Sequence, residues 1–162
     1  MSIVPTDVNY SYNILRSNLT ELNYKYPFLN IQIVGNSVMG KNIYVVKLGK
    51  GPNKVFYSAS IHANEWITSV VLMKFIEDYS QAYVDNSSLY GYNIRNLFNN
   101  SSIYIMPMVN PDGVNLVTGS LPTSSYAYET ALNISKIFPD IPFPSGWKAN
   151  INGVDLENLQ PI

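Results

Sequence analysis

The sequence contains no cysteine and one histidine, and both scarcities limit the chemistry that it can support. Without cysteine there is no disulfide and no thiolate ligand for a metal ion, and the redox compartment of the chain cannot be inferred. A bound metal ion would need histidine nitrogen or carboxylate oxygen as its ligands. Because His62 is the one histidine, these 162 residues cannot form a site that needs two histidines.

Charged residues are also scarce, and neither sign is in excess. Ten Lys and Arg residues against eleven Asp and Glu residues give a formal net charge of -1, so we expect neither nucleic acid nor a membrane surface as a partner. No apolar run approaches the roughly 20 residues that span a bilayer, and residues 1–10 do not resemble a secretory signal. We therefore expect a cytoplasmic protein with a small or peptidic ligand.

Hydrophobic periodicity predicts an α/β fold with a mixed, partly parallel sheet and helices packed on it. Apolar residues three and four apart predict a helix over 12–26, and 31–34 and 43–48 predict an antiparallel hairpin. Buried strands are predicted over 53–61 and 103–109, with a helix over 65–79 between them, as in a right-handed parallel crossover. The remaining predictions are a polar loop at 85–91, helices over 92–98 and 126–137, and a Pro-rich loop at 138–146.

Two candidate metal ligands follow the strand predicted over 53–61. His62 and Glu65 place an imidazole and a carboxylate three residues apart, where they can converge on one point. Both suit Zn²⁺, which binds histidine nitrogen at about 2.0–2.1 Å and carboxylate oxygen at about 2.0–2.2 Å. The alternative is purely structural, with Glu65 favouring a helix N-terminus and His62 ending a strand. The spacing alone leaves both interpretations open.

Two further motifs lie near predicted strand ends. Asn110-Pro111-Asp112-Gly113 fits a type I turn, and as a turn it needs no function. Residues 147–156, WKANINGVDL, taken alone predict a surface loop that leads into a short strand, with Asp155 as a cap.

Taken together and in this order, H-x-x-E-W at 62–66, N-P-D-G-V at 110–114 and W-K-A-N-x-x-G-V-D-L at 147–156 resemble the zinc carboxypeptidase family of metallopeptidases. The sequence is more similar to the bacterial branch that cleaves the γ-D-glutamyl to diamino-acid bond of peptidoglycan stem peptides. The resemblance implies a hydrolase with a Zn²⁺ cofactor that acts on peptides or cell-wall peptides. It covers the amino-terminal part of the family's catalytic domain, so we expect residues 1–162 to be that part, as a fragment or a truncated product.

The resemblance also implies roles for individual residues. His62 and Glu65 match two of the three zinc ligands, and Asp155 matches the carboxylate that accepts a hydrogen bond from the first ligand histidine. Lys148 matches a cationic residue of the oxyanion side. Asn158 is the candidate substrate-binding residue, although Glu157 stands as if inserted before it. A shift of one residue in a strand would turn the side chain of Asn158 to the other face.

In the family the third zinc ligand, a histidine, and the general-base glutamate belong to the carboxy-terminal part. The resemblance therefore implies weak zinc binding and little or no hydrolysis by these 162 residues alone. No arginine follows Arg95 to clamp a terminal carboxylate, which favours an endopeptidase. Exposed strand edges would favour self-association. The alternative functions are a non-catalytic domain that binds peptides or a protein partner, and a plain α/β scaffold with an accidental H-x-x-E.

Overall fold

A four-stranded mixed sheet forms the centre of the computed structural model, which describes residues 2–158, 160 and 161. The strand order is β1-β2-β6-β3, in which β1 and β6 run antiparallel to β2, and β3 runs parallel to β6. Two small two-stranded sheets, β4-β5 and β7-β8, lie outside it. The strands are β1 (Asn30–Asn36), β2 (Asn42–Gly49), β3 (Asn53–Ser58), β4 (Ser88–Leu89), β5 (Tyr92–Asn93), β6 (Ser101–Met106), β7 (Val154–Asp155) and β8 (Gln160–Pro161). The predicted mixed α/β fold and its hairpin are confirmed.

Helices enclose the core on the sheet. They are α1 (Tyr12–Lys25), α2 (Ile67–Val84), α3 (Ile94–Asn100), α4 (Pro111–Val117) and α5 (Tyr126–Ser135), with a 3₁₀ turn at Ala63–Glu65. The residues Leu15, Leu19 and Leu22 of α1 are all buried, as their spacing predicts. Within the described residues, no helix has both the length and the apolar character that crossing a membrane requires.

The buried face of the sheet follows directly from strand register. Val46 of β2 lies opposite Ile105 of β6, and Leu48 lies opposite Ile103. All four side chains belong to the main hydrophobic core, together with residues of α1, α2 and α3. This core fixes the carboxyl ends of β3 and β6, where the candidate site lies.

The prediction that residues 53–61 form a buried strand is wrong in two respects. The strand β3 ends at Ser58, and all six of its residues are exposed. The physical reason is its position, because the strand order places β3 at the edge of the sheet. An apolar run indicates a strand, but it does not say whether the strand lies at the centre or at the edge.

A buried glutamate on α2 holds the N-terminal segment. The carboxylate of Glu77 accepts hydrogen bonds from the Ser2 hydroxyl at 2.7 Å and from the amides of Ile3 at 2.7 Å and Val4 at 3.2 Å. The Lys74 ammonium donates to it at 3.1 Å. Burial acts to raise the pKa of Glu77, but these hydrogen bonds outweigh burial, and the pKa lies below its ordinary value.

Candidate metal centre

A residue in a left-handed conformation turns the chain after β3. Ser60 has φ 48° and is buried, although such a conformation costs a non-glycine residue roughly 1–2 kcal/mol. Its amide donates to the Thr68 hydroxyl at 2.9 Å, and its own hydroxyl lies 2.6 Å from that of Ser69. These bonds to the first turn of α2 stabilise the turn and place His62 at the start of the 3₁₀ segment.

His62 and Glu65 converge as their spacing predicts. His62 Nδ1 lies 3.2 Å from Glu65 Oε1. The amide of Glu65 donates to the His62 carbonyl at 3.2 Å, so the 3₁₀ turn itself sets the spacing of the two side chains. The His62 side chain is 14% exposed and that of Glu65 is 51% exposed. The pair therefore has a largely buried imidazole and a carboxylate open to solvent.

Two carboxylates approach the other nitrogen of the imidazole. His62 Nε2 lies 3.5 Å from Asp155 Oδ1 and 3.3 Å from Glu157 Oε2. Among the described residues, none makes a well-aligned hydrogen bond to this buried nitrogen. The backbone amide of Glu157 and the side-chain amide of Asn158 donate to Asp155 and hold the pKa of its carboxyl below its ordinary value. Asp155 is thus an anion at neutral pH, facing the side of the ring away from Glu65.

The motif N-P-D-G is the start of a helix and not a free turn. Asn110 is the N-cap of α4, where its Oδ1 accepts from the Gly113 amide at 3.1 Å, and Pro111 occupies the first turn. One turn of helix and a type I turn have similar backbone angles, so the motif alone fits both. Val114 and Leu116, which follow the motif, are buried, and their packing stabilises the continuation of the turn into the helix α4.

The buried side chain of Asn110 also joins the segments on either side of His62. Its Nδ2 lies 2.9 Å from the Ala149 carbonyl and 3.3 Å from the Ile61 carbonyl. The Ala63 amide completes the connection by donating to the Lys148 carbonyl at 2.9 Å. These bonds hold the residues that flank His62 against the W-K-A-N segment.

Close packing reinforces this junction. A Cβ atom built on Gly113 would lie 2.7 Å from the Ala63 Cβ and 2.8 Å from the Ala149 carbonyl oxygen. Glycine is therefore required at position 113 by the close approach of the neighbouring chain segments. Sequence reasoning missed this structural role of N-P-D-G, although an asparagine directly before a helical proline is a signal for a cap.

The other predicted site residues lie at the edge of the same region. The exposed Lys148 and Asp155 border a pocket of about 230 Å³ whose apolar wall includes Phe138, Phe143 and Trp147. Trp147 is buried, makes an edge-to-face contact with Phe143, and donates from its indole N–H to the Asn150 carbonyl at 3.2 Å. The pocket and the imidazole share Asp155 as a neighbour.

Asn158 lies in the turn between β7 and β8, where it is exposed and donates to Asp155 Oδ2 at 3.0 Å. Its expected contact with substrate stays a prediction. In the sequence Glu157 stands as an apparent insertion, and no local pattern indicates that its carboxylate approaches His62. That approach depends on a tertiary contact between two chain segments, which local sequence patterns do not encode.

The donor set fits part of a zinc site. Two ligands bound to zinc at about 2.0–2.2 Å with a near-tetrahedral angle lie about 3.4 Å apart, close to the 3.2 Å that separates Nδ1 and Oε1. Asp155 on the far side of the ring is also typical, because ligand histidines usually donate their other N–H to a carboxylate. Residues 2–158 contain no group of three or more His, Cys, Asp or Glu side chains arranged to hold a metal ion.

Comparison with known proteins agrees with this local arrangement. Residues 15–157 match the zinc carboxypeptidase family model. The chain is 38% identical over 153 residues to Gamma-D-glutamyl-L-diamino acid endopeptidase 1 of Lysinibacillus sphaericus, and the match covers 94% of the chain and 38% of that relative. The chain thus spans well under half of the relative's length.

Solved carboxypeptidase structures have the same fold over most of the chain. Bovine thrombin-activatable fibrinolysis inhibitor, in complex with a tick carboxypeptidase inhibitor, matches with a TM-score of 0.59 and 23% identity, over 87% of this chain and 36% of its own. Carboxypeptidase A of Helicoverpa armigera matches with a TM-score of 0.55 and 19% identity, over 93% of this chain and 30% of its own. With its three motifs, its mixed sheet and the family match over residues 15–157, the chain belongs to the zinc carboxypeptidase family.

Proposed function

We propose that the chain supplies His62 and Glu65 as two ligands of a zinc metallopeptidase site. The observation that carries the proposal is the 3.2 Å approach of His62 Nδ1 to Glu65 Oε1 in a member of the zinc carboxypeptidase family. The proposed substrates are cell-wall stem peptides with a γ-D-glutamyl to diamino-acid bond. Support for this substrate class comes from the 38% identity to an endopeptidase named for that bond.

In this proposal Asp155 is a positioning residue. Its carboxylate lies 3.5 Å from His62 Nε2 and would accept the proton of that nitrogen, which would leave the lone pair of Nδ1 for the metal. The hydrogen bonds that Asp155 accepts from Glu157 and Asn158 keep it ionised for this task. A bound zinc ion supplies a Lewis acid for the scissile carbonyl and lowers the pKa of its bound water toward 7.

Lys148 is the proposed stabiliser of negative charge on the substrate carbonyl oxygen. Its side chain is exposed beside the pocket that Asp155 also borders, and an ammonium group there favours an oxyanion. The Lys148 carbonyl is fixed by the Ala63 amide, so the backbone of this residue is tied to the neighbour of His62. Asn158, next to Asp155, is the proposed contact for the remainder of the peptide.

The 162 residues alone are expected to bind zinc weakly and to hydrolyse peptides little, because they contain one histidine and the resemblance implies a site with two. Calorimetric titration with zinc should show binding to the unmodified chain. His62→Ala and Glu65→Ala should each weaken the affinity for zinc by about tenfold or more. Glu129→Ala is the matched control, since Glu129 is also an exposed acid in a first helical turn. A signal unchanged by both site substitutions would remove the proposed ligands.

Incubation with a γ-D-glutamyl-diaminopimelate peptide tests the expectation that these residues alone hydrolyse the proposed substrate little. Clear turnover by these residues alone would contradict the expectation of an incomplete site.

A non-catalytic, peptide-binding function is the second candidate. The observation in its favour is the apolar pocket of about 230 Å³ beside Lys148, in a chain whose described residues contain no group of three or more His, Cys, Asp or Glu side chains arranged to hold a metal ion. Calorimetric binding of the same peptide distinguishes the two. Binding that persists in His62→Ala and needs no zinc favours the second candidate, whereas binding that depends on zinc and on His62 favours the peptidase.

A further inference from the structure

The tip of the hairpin that joins β1 and β2 lies at the same edge of the sheet as His62. Strand β2 runs antiparallel to β6 and β3 runs parallel to it, so β2 begins at the edge where β3 and β6 end. The tip is a closed turn. The Ser37 amide donates to the Lys41 carbonyl at 2.8 Å, and the Lys41 amide donates to the Ser37 hydroxyl at 3.0 Å. Side chains of this tip can therefore reach the segments that surround the candidate metal centre.

Asp112, in the first turn of α4, accepts a hydrogen bond from this tip on each of its carboxylate oxygens. Its Oδ2 accepts from the Met39 amide at 2.9 Å, and its Oδ1 accepts from the Lys41 ammonium at 2.6 Å. The side chain of Asp112 is 2% exposed and that of Lys41 is 18% exposed, so water and salt screen this ion pair little. The hairpin tip thus fixes the orientation of the carboxylate and holds the start of α4.

The start of α4 also holds both chain neighbours of His62. The N-cap of α4, two residues before Asp112, donates from its side-chain amide to the Ile61 carbonyl at 3.3 Å. The glycine that follows Asp112 packs so closely on Ala63 that an added Cβ atom would lie 2.7 Å from the Ala63 Cβ. Because closely packed segments transmit a displacement, a shift of this first turn would move the imidazole of His62 relative to Glu65.

We propose that Lys41 and Asp112 form a positioning pair for the metal centre. Through this pair the hairpin tip holds the first turn of α4, and the first turn of α4 sets the 3.2 Å approach of His62 Nδ1 to Glu65 Oε1. The pair acts through the backbone that flanks His62 and not through contact with the imidazole. The part of this proposal that concerns zinc rests on the proposed function, whereas the part that concerns the orientation of His62 does not.

Loss of the Lys41 ammonium should displace the first turn of α4. A buried carboxylate without its cation is strongly unfavourable, and Asp112 can regain hydration only if this turn moves outward. Lys41→Met removes the charge and keeps a side chain of similar length, whereas Lys41→Arg keeps the charge. Lys74→Met is the matched control. Lys74 also pairs with a buried carboxylate, that of Glu77 at 3.1 Å, but this carboxylate holds the N-terminal segment and not α4.

Because the chain contains one histidine, His62 can be observed directly and without zinc. In a chain with isotope-labelled histidine, one imidazole NMR signal reports the surroundings of this residue at a fixed pH. Lys41→Met should shift the signal by more than its line width, Lys41→Arg should keep it near its original position, and Lys74→Met should leave it unchanged. A signal that does not move in Lys41→Met, or that moves as far in Lys74→Met, would overturn the proposal.

Asp112→Asn is a milder variant, because it removes the ion pair and keeps an acceptor for the Met39 amide. It should also move the histidine signal by more than its line width, so the proposal stays testable if Lys41→Met folds poorly. In the double variant, Asp112→Asn should reverse part of the effect of Lys41→Met, because it removes the buried charge that is left unpaired. Independent, additive effects of the two substitutions would contradict a pair that acts as a unit.

Zinc affinity, measured by calorimetry where all variants are folded, gives the last readout. Lys41→Met should weaken the affinity for zinc by about threefold or more, and Lys74→Met should leave it unchanged. An affinity equally reduced in both variants would overturn the positioning role. If the unmodified chain binds no zinc at His62, the proposed function fails, and the histidine signal still decides whether Lys41 and Asp112 position the imidazole.

Discussion

Replacing Asn110 with alanine is predicted to destabilise the fold at the point that holds His62 in place. The substitution removes the N-cap of α4, which is typically worth about 1 kcal/mol. It also leaves the buried Ala149 carbonyl without the amide that now lies 2.9 Å away, and an unsatisfied buried acceptor costs about 1–3 kcal/mol. The expected loss in the free energy of unfolding is therefore about 2–4 kcal/mol, a large share of the roughly 5–15 kcal/mol of a typical domain.

Asn93→Ala provides a matched control for this loss. Asn93 is also an N-cap, and its side chain accepts from the Asn96 amide at 2.9 Å, but it is exposed and caps the short helix α3. Its replacement should cost about 1 kcal/mol or less, since water can satisfy the freed groups. The difference between the two variants isolates the contribution of the amide of Asn110 to the buried carbonyls.

Urea unfolding followed by circular dichroism at 25 °C and neutral pH measures both variants. Asn110→Ala should clearly lower the urea midpoint with little change in the slope, because the substitution hardly changes the surface that unfolding exposes. Equal losses in Asn110→Ala and Asn93→Ala would refute this prediction, since the amide of Asn110 would then contribute nothing beyond the cap.

Two further predictions concern packing and pH. Gly113→Ala should lower the free energy of unfolding by about 1–3 kcal/mol, because its Cβ would meet that of Ala63 at 2.7 Å, whereas Gly35→Ala, with nothing within 4 Å, should change it little in the same urea assay. The lowered pKa of Glu77 contributes stability that is present above its unfolded-state pKa and is lost as the pH falls through the lower, folded-state value. Glu77→Gln should therefore be less stable than the unmodified chain at pH 7 and should lose less stability between pH 7 and pH 3. Equal effects of the two glycine substitutions, or parallel pH profiles for the glutamate variant, would contradict these predictions.

The sequence predicted those parts of the fold that depend on local periodicity. The helix α1 follows from the three- and four-residue spacing of its leucines, and the hairpin of β1 and β2 follows from two apolar runs around a short turn. Local periodicity could not predict the position of β3 in the sheet, because tertiary pairing sets the order of the strands. For the same reason, hydrophobic periodicity does not indicate that the apolar side chain of Phe56 is exposed.

The candidate site shows the same division between local and tertiary information. The convergence of His62 and Glu65 follows from a single turn of chain, and the spacing was sufficient to predict it. The approach of Asp155 to His62 Nε2 could be expected through the family resemblance alone, because 93 residues separate the two positions and local spacing does not relate them. The approach of Glu157 to His62 and the hydrogen bonds of Asn110 to the Ile61 and Ala149 carbonyls are evident in the structure alone, since each depends on how distant segments pack.

The packing of Trp147 has a consequence for spectroscopy. The chain has two tryptophans, and Trp66 directly follows Glu65 while Trp147 directly precedes Lys148. Trp147 is buried in the smaller hydrophobic cluster with Ala63 and Ala149, whereas Trp66 packs against the main core. Emission excited selectively from tryptophan therefore reports on both hydrophobic clusters without an added label, and the thirteen tyrosines do not contribute to it.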